Sequence, residues 1–303
     1  MSKRLENAFR KFADYSSGEY KNLNGDHRHF SLLILKYKYR RNNITLVGTW
    51  HIGRDRGAKE SIIKGIKSQA AAYFKETRPD NRILMVEGFS EGVPICRDTL
   101  KKSFDMGEPA GVTFLAKEKR AKVISPEPAM RDQIKRLSSL GFSRYQIILH
   151  YVVRRMPWEI TSQDLNNHTI TYIARLVKQS GYKIPNENYV LNHVIPKLNY
   201  EMMRLNGRSL FRLKGNLIFP NYSSDELYPL TDPTLPTVNP KKSILLNEIA
   251  YNVNNIRDKN IIKEIDKALI SNKSPFAVYG RSHFARIKPA MDYLYGRPVK
   301  VVV

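Results

Sequence analysis

The chain has 303 residues, 42% of them hydrophobic, which is enough for one large domain or for one domain with a sizeable insertion. Its single cysteine, Cys96, excludes an intrachain disulfide and a zinc site built from cysteines. Lysine and arginine outnumber aspartate and glutamate by 51 to 28, a formal net charge of +23 at pH 7. Such a surface attracts nucleic acid, anionic membranes or acidic partners, although the charge is spread along the chain and would equally serve solubility.

Residues 1–28 are predicted to form a polar N-terminal arm. They are basic but lack the apolar stretch of a secretory signal peptide. No apolar run in the chain approaches the roughly 20 residues that a membrane-spanning helix needs. The sequence therefore predicts a soluble, cytoplasmic protein with no transmembrane segment.

Four apolar runs typical of buried strands each lead into a titratable side chain. The runs, with the residue that each delivers, are 44–47 with His51, 83–86 with Glu87, 121–124 with Glu127 and 276–279 with His283. Helical periodicity separates the first two runs, and a long helical pattern precedes the last one. This alternation predicts an α/β protein with a central mixed, mostly parallel sheet flanked by helices.

The alternation of strands and helices stops over residues 131–240. Apolar residues recur there at helical spacing, and a proline-punctuated loop then returns the chain to the sheet. We expect this region to be a mainly helical insertion or cap. The catalytic core would then consist of residues 29–130 and 241–303.

The four delivered side chains are expected to meet, because the carboxyl ends of parallel strands line up along one edge of a sheet. Two imidazoles with one or two carboxylates suit a divalent metal such as Mn, Co or Zn, and a remaining carboxylate could act as base on a metal-bound water. The same four groups could also perform acid–base chemistry without a metal. Taken singly, each is as well explained by a buried hydrogen bond or a helix cap. No glycine-rich phosphate-binding motif is present, so no nucleotide cofactor is predicted.

Several short elements carry a family resemblance. They are Gly48-Thr49-Trp50-His51-Ile52-Gly53, Val86-Glu87-Gly88, Gly107-Glu108 followed by Leu115-Ala116, Ser125-Pro126-Glu127-Pro128, and Gly280-Arg281-Ser282-His283. In this order they resemble the TraB/GumN and Tiki superfamily, which is related to erythromycin-esterase-like and ChaN-like proteins. The resemblance covers residues 44–130 and 245–303. Arg257-Asp258 is similar to an Arg-Asp or Arg-Asn element ahead of the last Gly-x-x-His of that family.

The resemblance implies a hydrolase-like site, foremost that of a metal-dependent peptidase, with an ester as the other substrate class. In that reading His51, Glu87 and His283 hold the metal or polarise the scissile carbonyl. Glu127 serves as base or additional ligand, and Arg257 stabilises an oxyanion.

Two further hypotheses stay open. The charge of +23 is also consistent with a nucleic-acid- or polyanion-binding protein on a degenerate hydrolase scaffold, although no zinc finger, helix-turn-helix or RNP motif occurs. Alternatively, the chain is an interaction or structural protein whose histidines are inert.

Overall fold

The computed structural model describes residues 2–24, 32–50, 56–88, 95–159, 165–215 and 217–302. The chain divides into two units, the first formed by Met1–Pro128 with Arg257–Val303 and the second by Ala129–Ile256. Among the described residues, no helix combines the length and the apolar character needed to cross a membrane.

The strands, in chain order, are β1 (Leu33–Tyr39), β2 (Asn42–Thr49), β3 (Arg82–Val86), β4 (Lys122–Ile124), β5 (Phe211–Lys214), β6 (Leu217–Pro220), β7 (Ser274–Gly280) and β8 (Lys300–Val302). The helices are α1 (Lys3–Phe9), α2 (Gly18–Asn24), α3 (Arg56–Glu76), α4 (Leu100–Asp105), α5 (Glu108–Glu118), α6 (Met130–Ser139), α7 (Arg144–Glu159), α8 (Leu165–Gln179), α9 (Glu187–Tyr189), α10 (Ile195–Asn206), α11 (Ser224–Leu227), α12 (Leu235–Val238), α13 (Leu245–Ile270) and α14 (Arg281–Tyr295). A π-helical turn, Val190–Val194, joins α9 to α10.

The first unit is built around a sheet in which the described strands follow the order β4-β3-β7-β2-β1-β8. Strands β4, β3, β7 and β2 are parallel, whereas β1 runs antiparallel to both β2 and β8. The predicted α/β class with a mixed, mostly parallel sheet is therefore confirmed. Strand β7 lies between β2 and β3, so the two strands that α3 connects do not pair with each other.

Burial explains why these segments form central strands. Every residue of β7 is buried, and β2 is buried at all but one position, as expected for parallel strands covered by helices on both faces. One apolar cluster packs Val47, Leu84, Val86, Phe276 and Val278 of the sheet against side chains of α3, α4 and α5.

The N-terminal segment, expected to be an arm, forms α1 and α2, which pack against α14. Ala8, Tyr15 and Tyr20 of this segment are buried. The backbone N–H of Ala13 donates to the carbonyl oxygen of Arg286 at 2.8 Å. These contacts make the segment part of the first unit.

The second unit is mainly helical and has its own apolar core. Side chains of α6, α7, α8, α10 and the first part of α13 form that core, with Phe211 and Ile218 from the β5–β6 hairpin. The helical insertion expected over residues 131–240 lies within this unit. The unit extends to Ile256 because Leu246, Ile249 and Val253 of α13 pack into the same core.

Candidate functional site

Four of the five predicted catalytic residues, Glu87, Glu127, Arg257 and His283, lie in the described part of the first unit. The fifth, His51, lies outside the described residues, and so does its predicted role as a metal ligand. The described four fall into two groups, a cluster of two glutamates with one arginine and a histidine held by an aspartate.

The arginine–glutamate cluster consists of Arg257, Glu87 and Glu127. Arg257 donates from Nε and Nη2 to the two carboxylate oxygens of Glu127, each at 2.7 Å, a bidentate pair. Its Nη2 also donates to Glu87 Oε1 at 2.5 Å. The second oxygen of Glu87 accepts from the backbone N–H of Gly280 at 2.9 Å. The structure thus places both predicted glutamates on one guanidinium.

Local structure explains how each glutamate reaches this point. The backbone N–H of Glu87 donates to the carbonyl oxygen of Val278 at 3.1 Å, extending the β3–β7 pairing beyond β3. After β4, two prolines keep the backbone around Glu127 out of a helix. Asn260 of α13 then donates to the carbonyl oxygen of Pro126 at 2.6 Å, which fixes this segment beside the helix that carries Arg257.

The cluster is charged and largely shielded from water. The exposed fractions of the side chains are 8% for Arg257, 4% for Glu127 and 16% for Glu87. Burial opposes the charge of Arg257, but Glu127 and Glu87 outweigh it and raise the pKa of the guanidinium well above its ordinary value. In a buried ion pair, the attraction between the charges does little more than offset the cost of removing them from water, so the net gain in stability is small. Stability alone therefore gives no reason for this cluster, which makes it a candidate for a functional role.

His283 lies in the first turn of α14 and is held by Asp258 of α13. Its Nδ1 lies 2.5 Å from Asp258 Oδ1, and Arg286 Nη1 donates to Asp258 Oδ2 at 2.7 Å. Asp258 is completely buried. Asp258 also accepts from Arg286 on its other oxygen, so we assign Nδ1 of His283 as the donor to Asp258 Oδ1. In this tautomer the lone pair of the ring is on Nε2, for which no hydrogen bond exists among the described residues.

Tyr279 and Gly280, at the end of β7, connect the two groups. The ring of Tyr279 contacts that of His283 edge to face, with 6.1 Å between centroids. Burial, together with the carboxylates of Glu127 and Glu87, raises the pKa of Tyr279 well above its ordinary value, so that it remains a neutral phenol. Gly280 donates to Glu87 of the arginine–glutamate cluster, and α14, which carries His283, begins directly after Gly280. The cluster and the histidine therefore both lie along the carboxyl edge of β3, β4 and β7.

Gly48 of β2 allows α14 to begin where it does. A Cβ atom at this position would lie 3.0 Å from Arg281 Cα and 3.1 Å from Leu33 Cβ, closer than ordinary packing allows. The first turn of α14, which carries His283, can approach the sheet because residue 48 has no side chain.

Sequence reasoning did not identify Arg286 or Tyr279, and it noted Asp258 only as the neighbour of Arg257. Arg257 and Asp258 are adjacent charges on the face of α13 that also buries Ile261 and Ile262, a signal that could have drawn attention to both. For Arg257, an oxyanion contact was expected, whereas the hydrogen bonds described here go to two carboxylates.

The candidate metal ligands that the structure describes are poorly suited to a divalent metal. All four carboxylate oxygens of Glu87 and Glu127 already accept hydrogen bonds from Arg257 or Gly280, and the guanidinium would repel a cation bound beside it. Within the described ranges, no three His, Cys, Asp or Glu side chains are grouped as metal ligands. The metal predicted for His51, Glu87 and His283 stays a prediction.

Comparison with known proteins found no matching protein-family model, curated protein or solved structure. The resemblance to the TraB/GumN and Tiki superfamily therefore rests on the short motifs alone.

Proposed function

We propose that the first unit is a hydrolase of the TraB/Tiki type that cleaves an ester or peptide bond by acid–base catalysis without a metal. One observation carries the proposal: a buried aspartate fixes His283 with Nε2 as its basic nitrogen, at the sheet edge where two glutamates converge on Arg257. Histidines oriented in this way serve as general bases in many hydrolases.

In the proposed reaction, Nε2 of His283 removes a proton from water, and the resulting hydroxide attacks the carbonyl carbon of the substrate. Asp258 stabilises the imidazolium that forms, because its carboxylate already accepts the Nδ1 proton. The proton on Nε2 then passes to the leaving oxygen or nitrogen as its bond to the carbonyl carbon breaks. No proton remains on the enzyme after one turnover.

Arg257 and Tyr279 are the proposed donors to the oxyanion. Arg257 keeps its charge and Tyr279 keeps its hydroxyl proton, because the pKa values of both side chains are raised well above their ordinary values. Glu127 gives both oxygens to Arg257 and is nearly inaccessible, so we assign it to holding that side chain rather than to acting as a base. Glu87, the most exposed side chain of the arginine–glutamate cluster, also holds Arg257 in place by accepting a hydrogen bond from its Nη2.

The test is hydrolysis of p-nitrophenyl esters and of a fluorogenic peptide library by the full chain. His283→Gln should lower kcat by about 10²- to 10⁴-fold, the usual contribution of a general base. His168→Gln is the matched control, since this exposed histidine of α8 belongs to the second unit. A folded His283→Gln variant with unchanged turnover would refute the proposal. Loss of activity with a chelator, restored by Mn, Co or Zn, would instead favour the metal-dependent peptidase.

A further inference from the structure

The second unit carries a group of basic and aromatic side chains on its surface, here called the tyrosine–cation patch. Its members come from the start of α7, the end of α8 with the loop that follows, and the start of α10. They are Arg144, Tyr145, Lys178, Tyr182, Lys183 and Lys197.

Two tyrosine rings form the centre of the patch. The ring centroids of Tyr145 and Tyr182 are 6.3 Å apart, with an angle of 32° between the ring planes. The guanidinium of Arg144 lies 5.0 Å from the Tyr182 centroid, and Lys197 Nζ lies 4.9 Å from the Tyr145 centroid. Each ring is therefore paired with a cation and a second ring, while Tyr182 keeps 39% of its surface exposed.

Local structure holds both tyrosines in place. Ser143 and Gln146 bond reciprocally at the start of α7, which fixes the turn that carries Arg144 and Tyr145. At the end of α8, Gly181 adopts a left-handed conformation with φ of 92°, and the N–H of Tyr182 donates to the carbonyl oxygen of Val177. The patch is thus built on two helix termini.

The cations of the patch are available to a ligand. Lys178 and Lys183 are exposed and line a shallow groove with Tyr182, Ile184 and Pro185. None of the four cations forms an ion pair with a residue that the structure describes. Glu201, the acidic residue of α10 nearest in sequence to Lys197, accepts from Arg204 at 2.8 Å and from Gln146.

We propose that the tyrosine–cation patch binds single-stranded nucleic acid. Four cations without an ion-pair partner among the described residues match a run of phosphates, and Tyr182, 39% exposed beside the groove, provides ring surface on which a base can stack. A lipid surface would call for several exposed aliphatic side chains, whereas the groove has one aliphatic side chain, the half-buried Ile184, beside Pro185, two lysines and a tyrosine. This inference does not depend on the proposed hydrolase activity, because the patch and the catalytic cluster belong to different units.

The experiment measures binding of the full chain to fluorescein-labelled oligothymidylate and oligouridylate by fluorescence anisotropy over a salt series. Four phosphate contacts predict a slope of log K against log salt of about −2.8, since each contact on a single strand contributes about −0.7. Lys178→Gln with Lys183→Gln should reduce the slope to about −1.4. Tyr182→Ala should weaken binding by about 5- to 100-fold, and Tyr182→Phe should restore it.

Arg212→Gln with Lys214→Gln is the control, because it removes the same charge from exposed positions of β5 in the same unit. This pair should change affinity less than about twofold, and inorganic polyphosphate should compete more weakly than the oligonucleotide. The proposal is overturned if Tyr182→Ala binds as the wild type does, or if the control pair weakens binding as much as the patch pair. It also fails if the patch substitutions weaken binding of the chain to phosphatidylserine vesicles but leave its binding to oligonucleotides unchanged.

Discussion

The two units differ in the kind of residue that they bury. Among the described residues, the buried charged side chains, Glu108, Arg257, Asp258, Arg281 and Arg286, all belong to the first unit, as does buried His283. Among the described residues of the second unit, His150 is the buried histidine, and the core of that unit is aliphatic and aromatic. Since buried charge costs desolvation energy, its concentration in the first unit is consistent with the site that we propose there.

The largest expected effect follows from removing the central cation of the first unit. Arg257→Met leaves Glu87 and Glu127, which are largely shielded from water, without their counter-ion, so we expect a loss of about 3–5 kcal/mol in the free energy of unfolding, measured by urea denaturation. Adding Glu87→Gln and Glu127→Gln to the same chain should restore most of that loss, because the uncompensated charges are then gone.

An exposed pair in the second unit provides the matched control. Arg208 and Glu226 form an ion pair at 2.6 Å, but both side chains are about half exposed. Arg208→Met should cost much less stability than Arg257→Met, because solvent screens such pairs and the contact of Arg208 with the Tyr222 ring is the other interaction lost. Equal losses for Arg208→Met and Arg257→Met would contradict the distinction between the two units.

The next effect concerns catalysis rather than stability. Asp258→Asn replaces an obligate acceptor with an amide that can also donate, so the ring of His283 is no longer held with Nε2 as the base. We expect kcat to fall by about 100-fold or more with little change in KM, in assays on the substrate identified from the ester and peptide libraries. Asp266→Asn, on the same helix but bonded to Tyr295, should leave kcat unchanged. A change in KM alone would show that Asp258 is not a positioning residue.

The smallest effect tests the buried histidine of the second unit. Burial, with Arg154 nearby, lowers the pKa of His150 from 6.5 to about 3. Between these values the unfolded chain binds a proton that the folded chain does not, so stability falls as the pH falls, by about 1.4 kcal/mol per pH unit. Between pH 7 and pH 5, the free energy of unfolding of the wild type should fall by about 2 kcal/mol more than that of His150→Leu. Parallel pH profiles of the two proteins, from urea denaturation, would disprove this.

Much of the sheet could be predicted from the sequence, because β2, β3 and β7 are apolar runs that lead into glycine or a charged residue. The position of β7 between β2 and β3 could not, since it depends on pairing between segments far apart in the chain, such as Leu46 with Ala277. The β5–β6 hairpin was not predicted, because it falls within the region 131–240 that was expected to be mainly helical. Each of its strands buries a single residue, Phe211 or Ile218, which is too short a pattern to recognise.

The site shows the same division between local and distant information. Motifs at strand ends predicted that Glu87, Glu127 and His283 lie at the sheet edge, because a strand end fixes where its next residues lie. The bonds that Arg257 forms depend on how α13 packs against the sheet, and the sequence pattern of a buried helix does not specify that rotation. The role of Arg286 likewise depends on the packing of α14 against α13.

Arg257 and Asp258 are consecutive residues of one helix, and their side chains leave α13 about 100° apart. One holds the two glutamates, and the other holds the histidine. The rotational phase of a single helix therefore sets both contacts. Inserting or deleting one residue just before this pair would turn both side chains away from their partners together. Only a substitution could remove the contact of Arg257 with the glutamates, or that of Asp258 with His283, and leave the other in place.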